Sequence, residues 1–159
     1  MKNSILFKSL IDIFFFIHVL GLIAILFKFP LGLIEVKNIE TPQISDWIIM
    51  AINAFVYFIF LRGLFFLRKM ARIFLSQEKS FSKPVVDYMR ICGNQFVYAG
   101  LISIVMLLIG KLLELNIAPI YKSYSITPIF LLIVGLFFVI QSRTLSLAIN
   151  LKNENDLVV

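Results

Sequence analysis

Four long apolar runs, parted by short polar stretches, dominate the chain. The first extends from about Ile5 to Phe29 and is closed by Pro30 and Gly32. The second extends from Trp47 to Leu67, with Ser45 or Asp46 placed to cap it. The third spans about Ile91 to Leu113, and the fourth Ile126 to about Ile149. Pro128 falls in the first turn of the fourth, where proline is tolerated. Each run holds roughly the 20 residues a helix needs to cross about 30 Å of hydrocarbon. None alternates in the manner of a barrel strand. The pattern predicts an all-α, polytopic membrane protein: one domain, a four-transmembrane-helix bundle with spans near 5–29, 47–67, 91–113 and 126–149.

The connector 68–90 adds a second element. Nothing breaks the second helix after Leu67, so it is expected to continue through Arg68-Lys69-Met70-Ala71-Arg72 to Leu75. Gln77-Glu78-Lys79-Ser80 reads as a polar turn. Ser82 is then a fitting N-cap, with Pro84 and Asp87 in the first turn of a helix that runs on into the third span. The expectation is a helical hairpin between helices 2 and 3, its tip carrying Phe81.

Composition supports lipid as the surrounding medium. Of 159 residues, 60% are hydrophobic and 17 are phenylalanine, and the mean hydropathy is +0.97. A soluble domain is typically about 45–50% apolar, so the bilayer is a partner that the composition demands. The first run is longer than the 7–15 apolar residues of a signal peptide, and Phe27-Lys28-Phe29-Pro30 makes a poor cleavage site. It is read as an uncleaved span.

Charge sets the orientation. Of the 15 lysines and arginines, Lys28, Lys37, Lys111 and Lys122 fall on one side of the four spans and the other eleven on the opposite side. The positive-inside rule then places both termini and the 68–90 connector in the cytoplasm. The net charge of +6 invites a nucleic-acid reading. But the cations gather at the ends of apolar runs, as in anchoring to anionic lipid, and no direct nucleic-acid contact is expected.

Candidate chemistry is sparse. One cysteine, Cys92, excludes an internal disulfide, and one histidine leaves too few soft ligands for a typical structural zinc site. No phosphate loop, metal cluster or nucleophile arrangement is present, so no catalytic, cofactor or metal residue is named and an enzyme is not expected. Ionisable and polar groups inside spans are the functional candidates by default: Asp12, His18 and Asn53. Asp12 lies one turn after Lys8 and is expected to pair with it. His18 is expected to make a hydrogen bond across the bundle. Asn53, Asn94, Gln95, Ser103 and Gln141 are read as interhelical hydrogen-bonding groups. Gly93 and Gly100 share a face and allow close backbone approach, within the bundle or, as the alternative, in a homo-oligomer.

The string Phe81-Ser82 followed by Met89-Arg90-Ile91-Cys92-Gly93, and the closing Lys152-Asn153-Glu154-Asn155-Asp156-Leu157-Val158-Val159, resemble the connector and tail of the bacterial four-span family called domain of unknown function 2975. Where that family often carries asparagine three residues after the Ser/Thr, this chain has Val85. The resemblance implies a non-enzymatic regulatory or sensor protein that partners a small cytoplasmic helix-turn-helix transcription regulator. On that reading Arg68, Lys69, Arg72, Phe81, Arg90, Glu154, Asp156 and Leu157 form the docking surface, and the Leu157-Val158-Val159 end pairs as an edge strand. A small transporter or channel subunit, or a toxin-immunity protein, is the alternative.

Overall fold

The computed structural model describes residues 2–35, 44–76, 82–112 and 126–156. They form four helices: α1 (Lys2–Glu35), α2 (Ile44–Ser76), α3 (Lys83–Leu112) and α4 (Ile126–Asp156). All four are long and apolar enough to cross a membrane. Among the described residues the fold is all helical, and the chain is a multi-pass membrane protein. The large hydrophobes it exposes, such as Leu20, Phe27, Phe55, Phe130 and Phe137, are the surface that acyl chains cover.

Neighbouring helices run antiparallel. Asp12, Phe15 and His18 of α1 meet Arg68, Phe65 and Tyr57 of α2 in reversed order. Phe66 and Phe60 of α2 meet Tyr88 and Phe96 of α3. Packing is most extensive between α3 and α4, less between α2 and α3, and least between α1 and α2. Of the α3 span, 28% is buried, against 6% of the α1 span, so α3 is the central element and α1 the most lipid-exposed.

Two faces of α3 do this work. One carries Cys92 and Phe96, which form a core with Leu61 and Leu64 of α2; Phe15 of α1 and Phe138 of α4 lean against it. The other carries Val86, Gly93 and Gly100, seven residues apart. On α4 the matching positions are Ser142, Gly135 and Pro128, also seven apart and all buried. A step of seven returns to nearly the same face of a helix. A Cβ on Gly93 would meet the Gly135 carbonyl at 2.7 Å, and one on Gly100 would meet the Pro128 carbonyl at 2.8 Å. Glycine at these points lets the two backbones touch, which in lipid is the main source of helix–helix attraction.

Three boundaries differ from the sequence expectation, and the start of α3 at Lys83 follows it. α1 runs on to Glu35, past Pro30 and Gly32. Proline removes one amide bond, but surrounding hydrocarbon penalises opening the remaining ones. α2 begins at Ile44, so Ser45 and Asp46 lie in its first turn and not ahead of it. At the start of α3 the Ser82 carbonyl accepts the amides of Val85 and Val86 at 3.0 and 3.3 Å. The Ser82 hydroxyl is buried with no hydrogen-bond partner among the described residues, so the backbone turn marks the cap position and the side chain does not fill it. Val85 is fully buried and anchors this end of α3 as an apolar residue. Finally, α4 does not stop near Ile149. It continues to Asp156, and 150–156 contains neither proline nor glycine, the residues that most strongly oppose a helix. The 77–80 turn, Phe81 and the 157–159 end lie outside the described residues.

Candidate functional site

The antiparallel order gathers the start of α1, the end of α2, the start of α3 and the end of α4 at one end of the molecule. Most of the singled-out charges lie here. Asp12 is the first. Its carboxylate accepts a hydrogen bond from Arg68 Nε of α2, and Lys8 stands farther off at 3.9 Å. The expected Lys8 pair is therefore secondary. The guanidinium also lies 5.3 Å from the Phe15 ring and 5.0 Å from the Phe16 ring. Arg68 thus ties α2 to α1 by charge and by cation–π attraction.

Lys69 is similarly engaged. Its ammonium lies 4.8 Å from the Phe65 ring and 5.6 Å from that of Tyr88 on α3. Arg72 points outward and is exposed. Arg90 is exposed too, with its Nη2 3.6 Å from Asp87. Glu154 is exposed on the projecting part of α4, and Asp156 is its last residue. Leu157, like Phe81, is outside the described residues. Of the docking candidates, then, Arg68 and Lys69 serve contacts inside the protein, while Arg72, Arg90 and Glu154 face out.

Farther along α1, His18 Nδ1 donates to the Phe14 carbonyl at 2.8 Å, within its own helix. The bond that crosses to α2 comes from the Tyr57 hydroxyl, which donates to the His18 carbonyl at 3.0 Å. This corrects the expectation that the imidazole itself would reach across. The ring is packed among aromatic neighbours, 4.1 Å from Phe14 and 5.2 Å from Phe60 between centroids. Asn53 is half-buried one turn before Tyr57. Replacing Tyr57 by phenylalanine removes one hydrogen bond to a carbonyl that its own helix already satisfies. A loss of about 0.5–1.5 kcal/mol is expected in detergent unfolding.

Ser103 is buried in α3, as an interhelical position should be, but Gln141 is exposed on α4 and does not sit between helices. No group of three or more His, Cys, Asp or Glu able to hold a metal occurs among the described residues.

One feature of this end has no counterpart in the sequence expectation. Where the α3–α4 seam reaches its last pair, Val86 and Ser142, it opens into a groove of about 510 Å³. Lys83, Asp87 and Arg90 line it from α3; Arg143, Ser146, Asn150 and Asn153 line it from α4. Arg143 was visible in the sequence only as a topology charge. The signal that could have found the groove is the spacing 142, 146, 150, 153, which aligns four small polar residues on one helix face.

No family model, curated protein or solved structure matches the chain.

Proposed function

We propose that the protein is a non-enzymatic membrane component that docks a small cytoplasmic DNA-binding regulator. We further propose that the basic end, with both termini, faces the cytoplasm, as the lysine and arginine bias suggests, and that the membrane is a bacterial inner membrane, as the resemblance to a bacterial family implies. The observation that carries the docking reading is the continuation of α4. Its 31 residues extend about 46 Å at 1.5 Å each, against a hydrocarbon thickness of about 30 Å. The surplus is a helix with exposed Leu147, Leu151 and Glu154 at spacings of four and three. An apolar stripe with a flanking charge on a projecting helix is what a helix-in-groove partner reads. Arg72 stands exposed at the same end, and the resemblance of 81–93 and 152–159 to a family linked with helix-turn-helix regulators points the same way.

The test is site-specific photocrosslinking in native membranes. A photoreactive residue is placed at 72, at 151 and, as control, at lipid-facing Phe137. Capture of one small DNA-binding protein from 72 and 151, and not from 137, is the expected result. If the two cytoplasmic probes yield no soluble protein that the control lacks, the reading fails.

A further inference from the structure

We propose that the α3–α4 groove is a binding site for the phosphate headgroup of an anionic phospholipid. This inference stands independently of any cytoplasmic partner. Three cationic side chains, Lys83, Arg90 and Arg143, converge on a cleft that holds one carboxylate, Asp87. Asp87 lies beside Arg90 at 3.6 Å, so the cleft keeps a surplus of two positive charges. Arginine suits phosphate in particular, because its planar fork donates two parallel hydrogen bonds.

The neutral lining fits the rest of a headgroup. Ser146, Asn150 and Asn153 offer hydroxyl and amide groups along one face of α4. Such groups suit the hydroxyls of a headgroup that projects outward beyond the lipid phosphate. The Ser142 hydroxyl, by contrast, donates to the Val139 carbonyl at 2.7 Å and belongs to the floor. Val86 and Ile149 complete the lining with apolar surface. A cleft near 510 Å³ lies within the roughly 300–1,000 Å³ of small-molecule sites.

Depth selects lipid over a dissolved anion. Arg143 lies 17 residues from the start of α4 at Ile126, or about 26 Å along the helix, and Arg90 lies 22 residues from the end of α3 at Leu112, or about 33 Å. These distances bracket the roughly 30 Å of hydrocarbon. The two guanidinium groups therefore lie at the level of lipid phosphates. Basic pockets between spanning helices on this side of a bilayer are the known setting for anionic headgroup recognition.

The experiment uses the full-length protein in a neutral detergent, titrated separately with short-chain phosphatidylglycerol, short-chain phosphatidylcholine and inorganic phosphate. Retained lipid is read by native mass spectrometry, and thermal stability is followed in parallel. Phosphatidylglycerol is expected to bind and stabilise. Arg90→Gln with Arg143→Gln should weaken it on the order of tenfold or more, since two charge-assisted contacts are lost. Arg72→Gln, which removes an exposed cation outside the groove, should leave binding unchanged. Arg143→Lys keeps the charge without the fork and should fall between; it also serves if the double variant does not fold. Protection of Cys92 from maleimide shows whether each variant remains packed. Three results overturn the proposal: equal retention of phosphatidylcholine, an equal loss with Arg72→Gln, or full competition by inorganic phosphate at matched concentration.

Discussion

Replacing Gly93 or Gly135 by alanine is expected to destabilise the protein by about 1–3 kcal/mol, and replacement by valine by more. The new Cβ at 93 would lie 2.7 Å from the Gly135 carbonyl oxygen and 2.9 Å from the Val139 amide nitrogen. At 135 it would lie 2.8 Å from the Gly93 carbonyl oxygen and from the Val97 amide nitrogen. These are backbone atoms of two apposed helices, so relief requires moving a whole helix. Gly21 is the control. Its Cβ would meet only the Tyr57 hydroxyl, at 3.0 Å; a small shift of that side chain relieves the contact, and even loss of its bond to the His18 carbonyl limits the cost to about 0.5–1.5 kcal/mol. Cys92, fully buried and next to Gly93, is a built-in reporter. Maleimide should label it slowly in the native protein and in Gly21→Ala, and much faster in Gly93→Val. If Gly93→Val unfolds in detergent as late as the native protein, the close α3–α4 seam is wrong.

The second large effect is expected from Arg68. Removing one partner of a fully buried ion pair costs about 3–5 kcal/mol. Here the two side chains remain 19% and 22% exposed, so Arg68→Ala should cost about 1–3 kcal/mol, part of it from lost contact with Phe15 and Phe16. Lys8→Ala, which removes the more distant and more exposed cation, should cost under about 0.5 kcal/mol. Asp12→Asn combined with Arg68→Gln should cost less than the two single changes added together, because neither charge is then left without its partner. Equal losses for Lys8→Ala and Arg68→Ala would show that α1 is not held to α2 through this pair.

Much of the architecture was legible because the bilayer fixes helix length, so four runs of about 20 apolar residues could hardly fold otherwise. Gly93 and Gly100 were legible as a contact face because glycine repeated at seven can serve little else. Their partners were harder to see, since Pro128, Gly135 and Ser142 share a spacing but not a residue type. The Lys8–Asp12 pair was legible from its one-turn spacing and is present at 3.9 Å, but the closer partner, Arg68, 56 positions along the chain, was not, because local spacing carries no information about which helices become neighbours. The end of α4 misled in another way. Polar Lys152, Asn153 and Glu154 read as a tail leaving the membrane, and leaving the membrane does not require leaving the helix. The groove was invisible for the same reason as the Asp12 pair: Arg90 and Arg143 meet only once α3 and α4 are in register.

The Asp12–Arg68 pair also bears on the order of synthesis. Ribosomes add about 5–20 residues per second, so the 56 residues between the partners correspond to roughly 3–11 s of elongation. Throughout that interval Asp12 has been made and Arg68 has not. Lys8, one turn from Asp12, is the cation at hand while the carboxylate waits near the lipid. Its modest place in the finished protein thus understates its value to the nascent chain: Lys8 keeps company with a charge whose permanent partner has yet to leave the ribosome.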